Sequence, residues 1–110
     1  MSVEPQLQEL IRKFNDKVEN DPKLKTEIGE MNKKVMIDLD SEKYNFHLHD
    51  QKIDELVVGE ISDPDLTITS DPETISGIIN GEIKPMKAFA LRKVRIKGNI
   101  DDMLRLRHLF

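Results

Sequence analysis

Apolar side chains recur along the chain first with a helical period, then with a period of two, then with both in alternation. Val3, Leu7, Leu10, Ile11, Phe14 and Val18 fall three or four residues apart, with charged and amide side chains between them. They predict an amphipathic helix from Pro5 to Asn20 that lays one face on a core. Asn20-Asp21-Pro22 breaks it. Asp21 suits an N-cap and Pro22 the first helical position, so Leu24 and Ile28 predict a short second helix, ended by Gly29.

From Lys33 the period becomes two. Val35, Ile37 and Leu39 alternate with Met36, Asp38 and Asp40, and after a turn at Asp40-Ser41-Glu42 the set Tyr44, Phe46, Leu48 alternates with Asn45, His47 and His49. This predicts a hairpin with one apolar face. A turn at Asp50-Gln51-Lys52 and a third strand over Glu55 to Gly59 would extend it as an antiparallel meander. Asp65 to Ser70 reads as a fourth strand, with Leu66 and Ile68 on its apolar side. Ser70-Asp71-Pro72-Glu73 is a strong helix start, and Ile75, Ile78 and Ile79 form the stripe of the helix that follows, ended by Gly81. Pro85 opens a short helical turn carrying Met86, Phe89 and Ala90 on one side. A fifth strand has Val94 and Ile96 facing one way and Lys93, Arg95 and Lys97 the other, and stops at Gly98-Asn99. Asn99 or Asp101 then caps a last helix bearing Met103, Leu104, Leu106, Leu109 and Phe110. The order of periods predicts an α+β fold, a single domain over residues 1–110 with helices on one face of a mixed five-stranded sheet.

Composition narrows the function. At 110 residues the chain suits one domain with one core. Its net charge of −4 gives no long-range attraction to nucleic acid, and one tyrosine, four phenylalanines and no tryptophan make a poor base-stacking platform. Without cysteine there is no disulfide, thiolate metal site or cysteine catalysis, as suits a reducing compartment. Met1-Ser2-Val3-Glu4 lacks the blocks of a signal peptide, no apolar run reaches transmembrane length, and the expected location is the cytoplasm.

Candidate chemistry is sparse. His47 and His49 share a strand face and can hold a metal with a third ligand, Asp50 or Asp38, although two solvent-facing histidines give the same pattern. Asp38 and Asp40 read as exposed strand residues and Asp101-Asp102 as acids of a helix start, so no carboxylate pair argues for acid–base catalysis. The serines lack a nucleophile-elbow context, and Gly77, Gly81 and Gly98 form no phosphate-cradling loop. Lys84, Lys87, Arg92, Lys93, Arg95 and Lys97 form a local basic cluster, which can meet a lipid headgroup or phosphate or simply be a solvated face. No enzyme activity and no cofactor is expected.

Three strings in this order, Asp65-Leu66-Thr67-Ile68-Thr69, Gly81-Glu82-Ile83-Lys84-Pro85-Met86-Lys87-Ala88-Phe89 and Val94-Arg95-Ile96-Lys97-Gly98-Asn99, resemble the sterol carrier protein type 2 family. The resemblance in element order covers nearly the whole chain. It implies strand order 3-2-1-4-5 and an apolar tunnel between sheet and helices that takes fatty acids, acyl-CoA, sterol-like molecules or phospholipids. Carried onto this chain, the tunnel residues would be Ile75, Ile78, Ile79, Met86, Phe89, Met103, Leu106 and Phe110. Arg107-His108-Leu109-Phe110 is not the peroxisomal signal that many eukaryotic members carry, which fits a stand-alone prokaryotic-type or cytoplasmic member; since prokaryotic members often live without sterols, the resemblance implies a fatty acyl ligand ahead of a sterol. The expected partners are an apolar lipid and, as protein partner, a second copy or a lipid-metabolising enzyme, with no nucleic acid and no integral membrane segment. The competing reading is a structural or accessory interaction domain that supports such an enzyme in trans.

Overall fold

The structure, a computed structural model, describes residues 2–109, the side chain of Arg107 excepted. Five helices, α1 (Glu4–Asn20), α2 (Pro22–Ile28), α3 (Pro72–Ile79), α4 (Pro85–Ala90) and α5 (Ile100–Leu106), accompany a mixed sheet, and a 3₁₀ turn (Arg107–Leu109) follows α5. The strands are β1 (Lys33–Asp38), β2 (Lys43–His49), β3 (Lys52–Ile53), β4 (Val57–Val58), β5 (Leu66–Thr69) and β6 (Arg95–Lys97). Their order is β3-β2-β1-β5-β6, with β4 also paired to β2. Taking β3 and β4 as one interrupted strand, this is the expected order.

Register aligns the apolar sets. Val35 pairs with Phe46 and Ile37 with Tyr44 across the antiparallel β1–β2 ladder, while the parallel β1–β5 ladder sets Val35 beside Leu66 and Ile37 beside Ile68. Antiparallel β6 adds Ile96 beside Ile68. A slip by one residue would turn each set to solvent, so the alternation itself specifies the register. Against this face pack Leu7, Ile11, Phe14 and Val18 of α1, Leu24 and Ile28 of α2 and Ile75 and Ile78 of α3. The opposite face carries half-buried Met36, Asn45, His47, His49, Thr67 and Thr69 and, among the described residues, no helix.

The expected caps are present. Asp21 accepts from the amides of Lys23 and Leu24 at the start of α2, and Asp71 from Thr74 at the start of α3. Of the two candidates for α5, the cap is Asn99, whose Oδ1 accepts from Asp101 N at 2.8 Å.

Two local expectations are corrected. The turn after β2 is Asp50-Gln51 alone, both with positive φ (51° and 63°), between the paired residues His49 and Lys52. That is the two-residue mirror-image turn whose twist suits a hairpin, so pairing resumes earlier than a strand from Glu55 would have it. The ladder runs on to Asp54, whose N donates to His47 O, while the outward backbone of Ile53 is taken by α1: Asn15 Oδ1 accepts from Ile53 N at 2.8 Å and Asn15 Nδ2 donates to Ile53 O at 3.0 Å. The second correction concerns α4. Its fully buried residue is Ala88, while Met86 is 78% exposed and Ala90 faces outward. The carbonyl of Ala88 accepts from the amides of both Lys93 and Val94. The chain thus doubles back over the fully buried Ala88.

Candidate functional site

α3 and α4 end in the same way, and this shapes the site between β6, α4 and α5. At α3, Gly81 N donates to Ile78 O and Glu82 N to Gly77 O; at α4, Arg92 N donates to Phe89 O and Lys93 N to Ala88 O. Both are Schellman motifs, in which one residue adopts the left-handed conformation. At α3 that residue is Gly81 (φ 79°), whereas at α4 it is Arg92 (φ 59°), a non-glycine accepting a strained backbone. The reversal sends the chain from α4 into β6 at the sheet edge. There Gly98 (φ 147°) lets the backbone approach β5 so closely that a Cβ would lie 2.3 Å from Leu66 Cδ2.

Between these elements lies a cavity of about 420 Å³. Ile68 of β5 and Ile96 of β6 form its sheet side, Pro85, Met86 and Phe89 come from α4, and Met103, Leu104 and Leu106 from α5. None of these side chains carries a hydroxyl, amide or charge. The volume lies within the roughly 300–1,000 Å³ typical of small-molecule sites. The edge is incompletely covered: besides Met86, Leu104 is 55% and Phe89 36% exposed. Two methionines among the lining residues supply flexible, polarisable surface that can conform to different guests.

Of the residues singled out in the sequence, Met86, Phe89, Met103 and Leu106 meet at this cavity. Ile75 and Ile78 belong to the core, with Ile79 packed partly against it, and none of the three lines the cavity. Phe110 lies outside the described residues. Ile68, Ile96, Pro85 and Leu104 were not foreseen as lining; for the two isoleucines the signal was their place on the apolar side of neighbouring strands.

Cations flank several of the lining residues along the chain. Residues 84–97 hold six of the chain's seventeen lysines and arginines and none of its twenty-one carboxylates. All six, Lys84, Lys87, Arg92, Lys93, Arg95 and Lys97, are exposed. On the opposite face of the sheet, His49 Nδ1 meets Asp50 Oδ2 at 2.9 Å and His49 Nε2 meets Asp54 Oδ2 at 2.7 Å. The bonds to Asp54 and Asp50 raise the His49 pKa, and the bond to His49 lowers that of Asp54. Near the start of α1, Tyr44 donates to Glu42, which holds the Glu42 carboxyl low, while burial and the same carboxylate raise Tyr44.

Helices on one face of a mixed sheet define an α+β domain, and an apolar cavity lies where the sheet edge meets two short helices. The chain belongs to the SCP-2 sterol transfer family, whose model matches residues 7–110. Solved structures share the fold. Palmitated SCP2L2 from Aedes aegypti, a solution NMR structure, is 24% identical, with 96% of this chain and 91% of that chain covered and a TM-score of 0.63. The ubiquinone synthesis protein UbiJ-SCP2 is 13% identical, with 99% and 92% covered and a TM-score of 0.65. The sec-alkylsulfatase Pisa1 from Pseudomonas sp. is 13% identical with a TM-score of 0.59 over 78% of this chain, which spans only 13% of that enzyme's length. At these identities the likeness is one of fold. No curated protein matches the chain in sequence.

Proposed function

We propose that this protein binds and carries lipids, single-chain fatty acyl molecules first among them, and performs no chemistry on them. The observation that carries the reading is the cavity itself: eight apolar side chains and no polar one. Such a wall rewards burial of methylenes and offers neither nucleophile nor general base. Family membership supports lipid transfer as the activity. The palmitated state of the Aedes aegypti protein supports an acyl chain as the guest. The basic stretch from Lys84 to Lys97 would take an anionic carboxylate or the phosphates of acyl-CoA, leaving the chain to Met86, Phe89, Met103 and Leu106. Ile75, Ile78 and Ile79 would join the wall of a full tunnel if the cavity deepens towards α3; Phe110, counted with them from the resemblance, lies outside the described residues. Sterol-like and phospholipid guests fit the same apolar wall less selectively.

A chain-length series tests this. Each buried methylene contributes about 0.8 kcal/mol, or about fourfold in affinity. Displacement of a fluorescent fatty acid by C10, C12, C14 and C16 acids should therefore show affinity climbing steeply until the cavity is filled. Affinity independent of chain length would contradict burial of the chain.

A second reading, an accessory domain for a lipid-metabolising enzyme acting in trans, is favoured by the apolar surface beside the cavity, where Ile100 is 70% and Leu91 58% exposed. The fold's occurrence within the alkylsulfatase supports that reading too. It predicts purified protein without co-purifying lipid, which native mass spectrometry decides.

A further inference from the structure

We propose that His47, His49 and Asp54 form a binding site for a divalent transition-metal ion of the zinc type, on the sheet face opposite the apolar cavity. One donor atom from each of the three residues lies within 4.8 Å of the others. The two imidazoles are neighbours on one side of β2, with ring centroids 4.3 Å apart and planes tilted by 30°. Asp54 is brought to them by the chain itself: the Asp50-Gln51 turn folds β3 back on β2, and Asp54 N donates to His47 O at 3.1 Å. The third ligand is thus held in register with the first.

The surrounding groups suit such a site. A metal-bound imidazole usually donates its second nitrogen to an oxygen that fixes ring and tautomer. Both rings have that oxygen in place. His47 Nε2 meets Asn32 Oδ1 at 2.5 Å, and His49 Nδ1 meets Asp50 Oδ2 at 2.9 Å. Each ring then has its other nitrogen for an ion. For His49 that nitrogen is Nε2, which lies against Asp54 Oδ2. Donors around a tetrahedral zinc stand roughly 3.3–3.5 Å apart, given bonds of about 2.0–2.1 Å. Seating the ion therefore means opening the 2.7 Å His49–Asp54 contact slightly and drawing His47 in. All three side chains are half-buried or exposed, so an ion can reach them from solvent, which supplies the remaining position. Two imidazoles and one carboxylate match Zn²⁺, Ni²⁺ or Cu²⁺ and not Ca²⁺ or Mg²⁺, which prefer all-oxygen shells.

The test is titration of the full chain with Zn²⁺ by calorimetry, alongside NMR of the three histidine side chains. We expect one ion per chain, with the ring nitrogens of His47 and His49 shifting and those of His108, which meets Glu27 at 2.9 Å elsewhere, unmoved. H47Q, H49Q and D54N should each weaken binding by at least about tenfold, and D50N, through the outer contact, by about 10–100-fold. Co²⁺ should broaden resonances around residues 47–54 in the unaltered protein, a readout that needs no variant to fold. Absence of saturable binding, equal binding by the H47Q/H49Q double variant, or response centred on His108 would each overturn the assignment. So would equal affinity for Mg²⁺.

Discussion

Asn15 is a half-buried polar residue on a helix whose fully buried side chains are apolar, and its amide performs the work of a strand. By exchanging two hydrogen bonds with the backbone of Ile53, it satisfies the edge of the sheet where β3 has no further partner. Asn15→Ala should therefore lower stability by about 1–3 kcal/mol in denaturant unfolding, more than an exposed helical position would; a change within error would show that water replaces the amide at no cost. Nothing in the helical period marks Asn15, because the pattern records which positions are apolar and not which polar group finds a distant backbone partner. The same holds for His49, legible as one of a strand-face pair but not as the centre of a two-carboxylate clasp. Its folded pKa is raised above the ordinary 6.5. Its contribution to stability is thus complete below that value and is lost as pH rises through the folded pKa. For Asp54, held low, the contribution is present above the unfolded pKa and is lost as pH falls through the depressed folded value. Chemical unfolding across pH 5–9 should show a decline on the alkaline side of 6.5 that H49Q flattens; an unchanged slope in H49Q would remove the clasp from the account.

At the scale of the element, α4 departs from its sequence pattern most. A six-residue helix is too short for periodicity to say which side is buried, and the apolar residues on it were ambiguous between core and site. The Schellman reversal decides the matter, burying Ala88 and leaving Met86 and Phe89 at the rim of the cavity. Phe89 is 36% exposed, so its truncation removes fewer protein contacts than loss of a core phenylalanine, which costs about 3–5 kcal/mol. Phe89→Ala should cost about 1–2 kcal/mol in stability and reduce the affinity for a fluorescent fatty acid by a larger factor. The opposite ranking, a large stability loss with unchanged affinity per folded molecule, would place Phe89 in the core alone. By contrast α1, β1 and β2 were legible almost to the residue, because each carries a long run of one period and buries a single face. Of the third strand, Val57–Val58 fell where the alternation put it, and only Lys52–Ile53 was missed, because Asp50-Gln51 lacks the glycine that usually signals a two-residue turn.

The molecule as a whole separates three surfaces: a helical cover over the core, an apolar cavity at one sheet edge, and a polar sheet face bearing the histidines. No helix among the described residues is long and apolar enough to cross a membrane. If the cavity between β6, α4 and α5 receives an acyl chain, as proposed, the methionines report on it directly. Met86 and Met103 line the cavity, Met31 is buried in the core and Met36 lies half-buried on the polar sheet face. Protein carrying ¹³C-methyl methionine, titrated with palmitate, should show saturable shifts and ligand contacts at Met86 and Met103 while Met31 and Met36 stay in place. Shifts confined to Met36, or no saturable change at Met86 and Met103, would contradict the proposal.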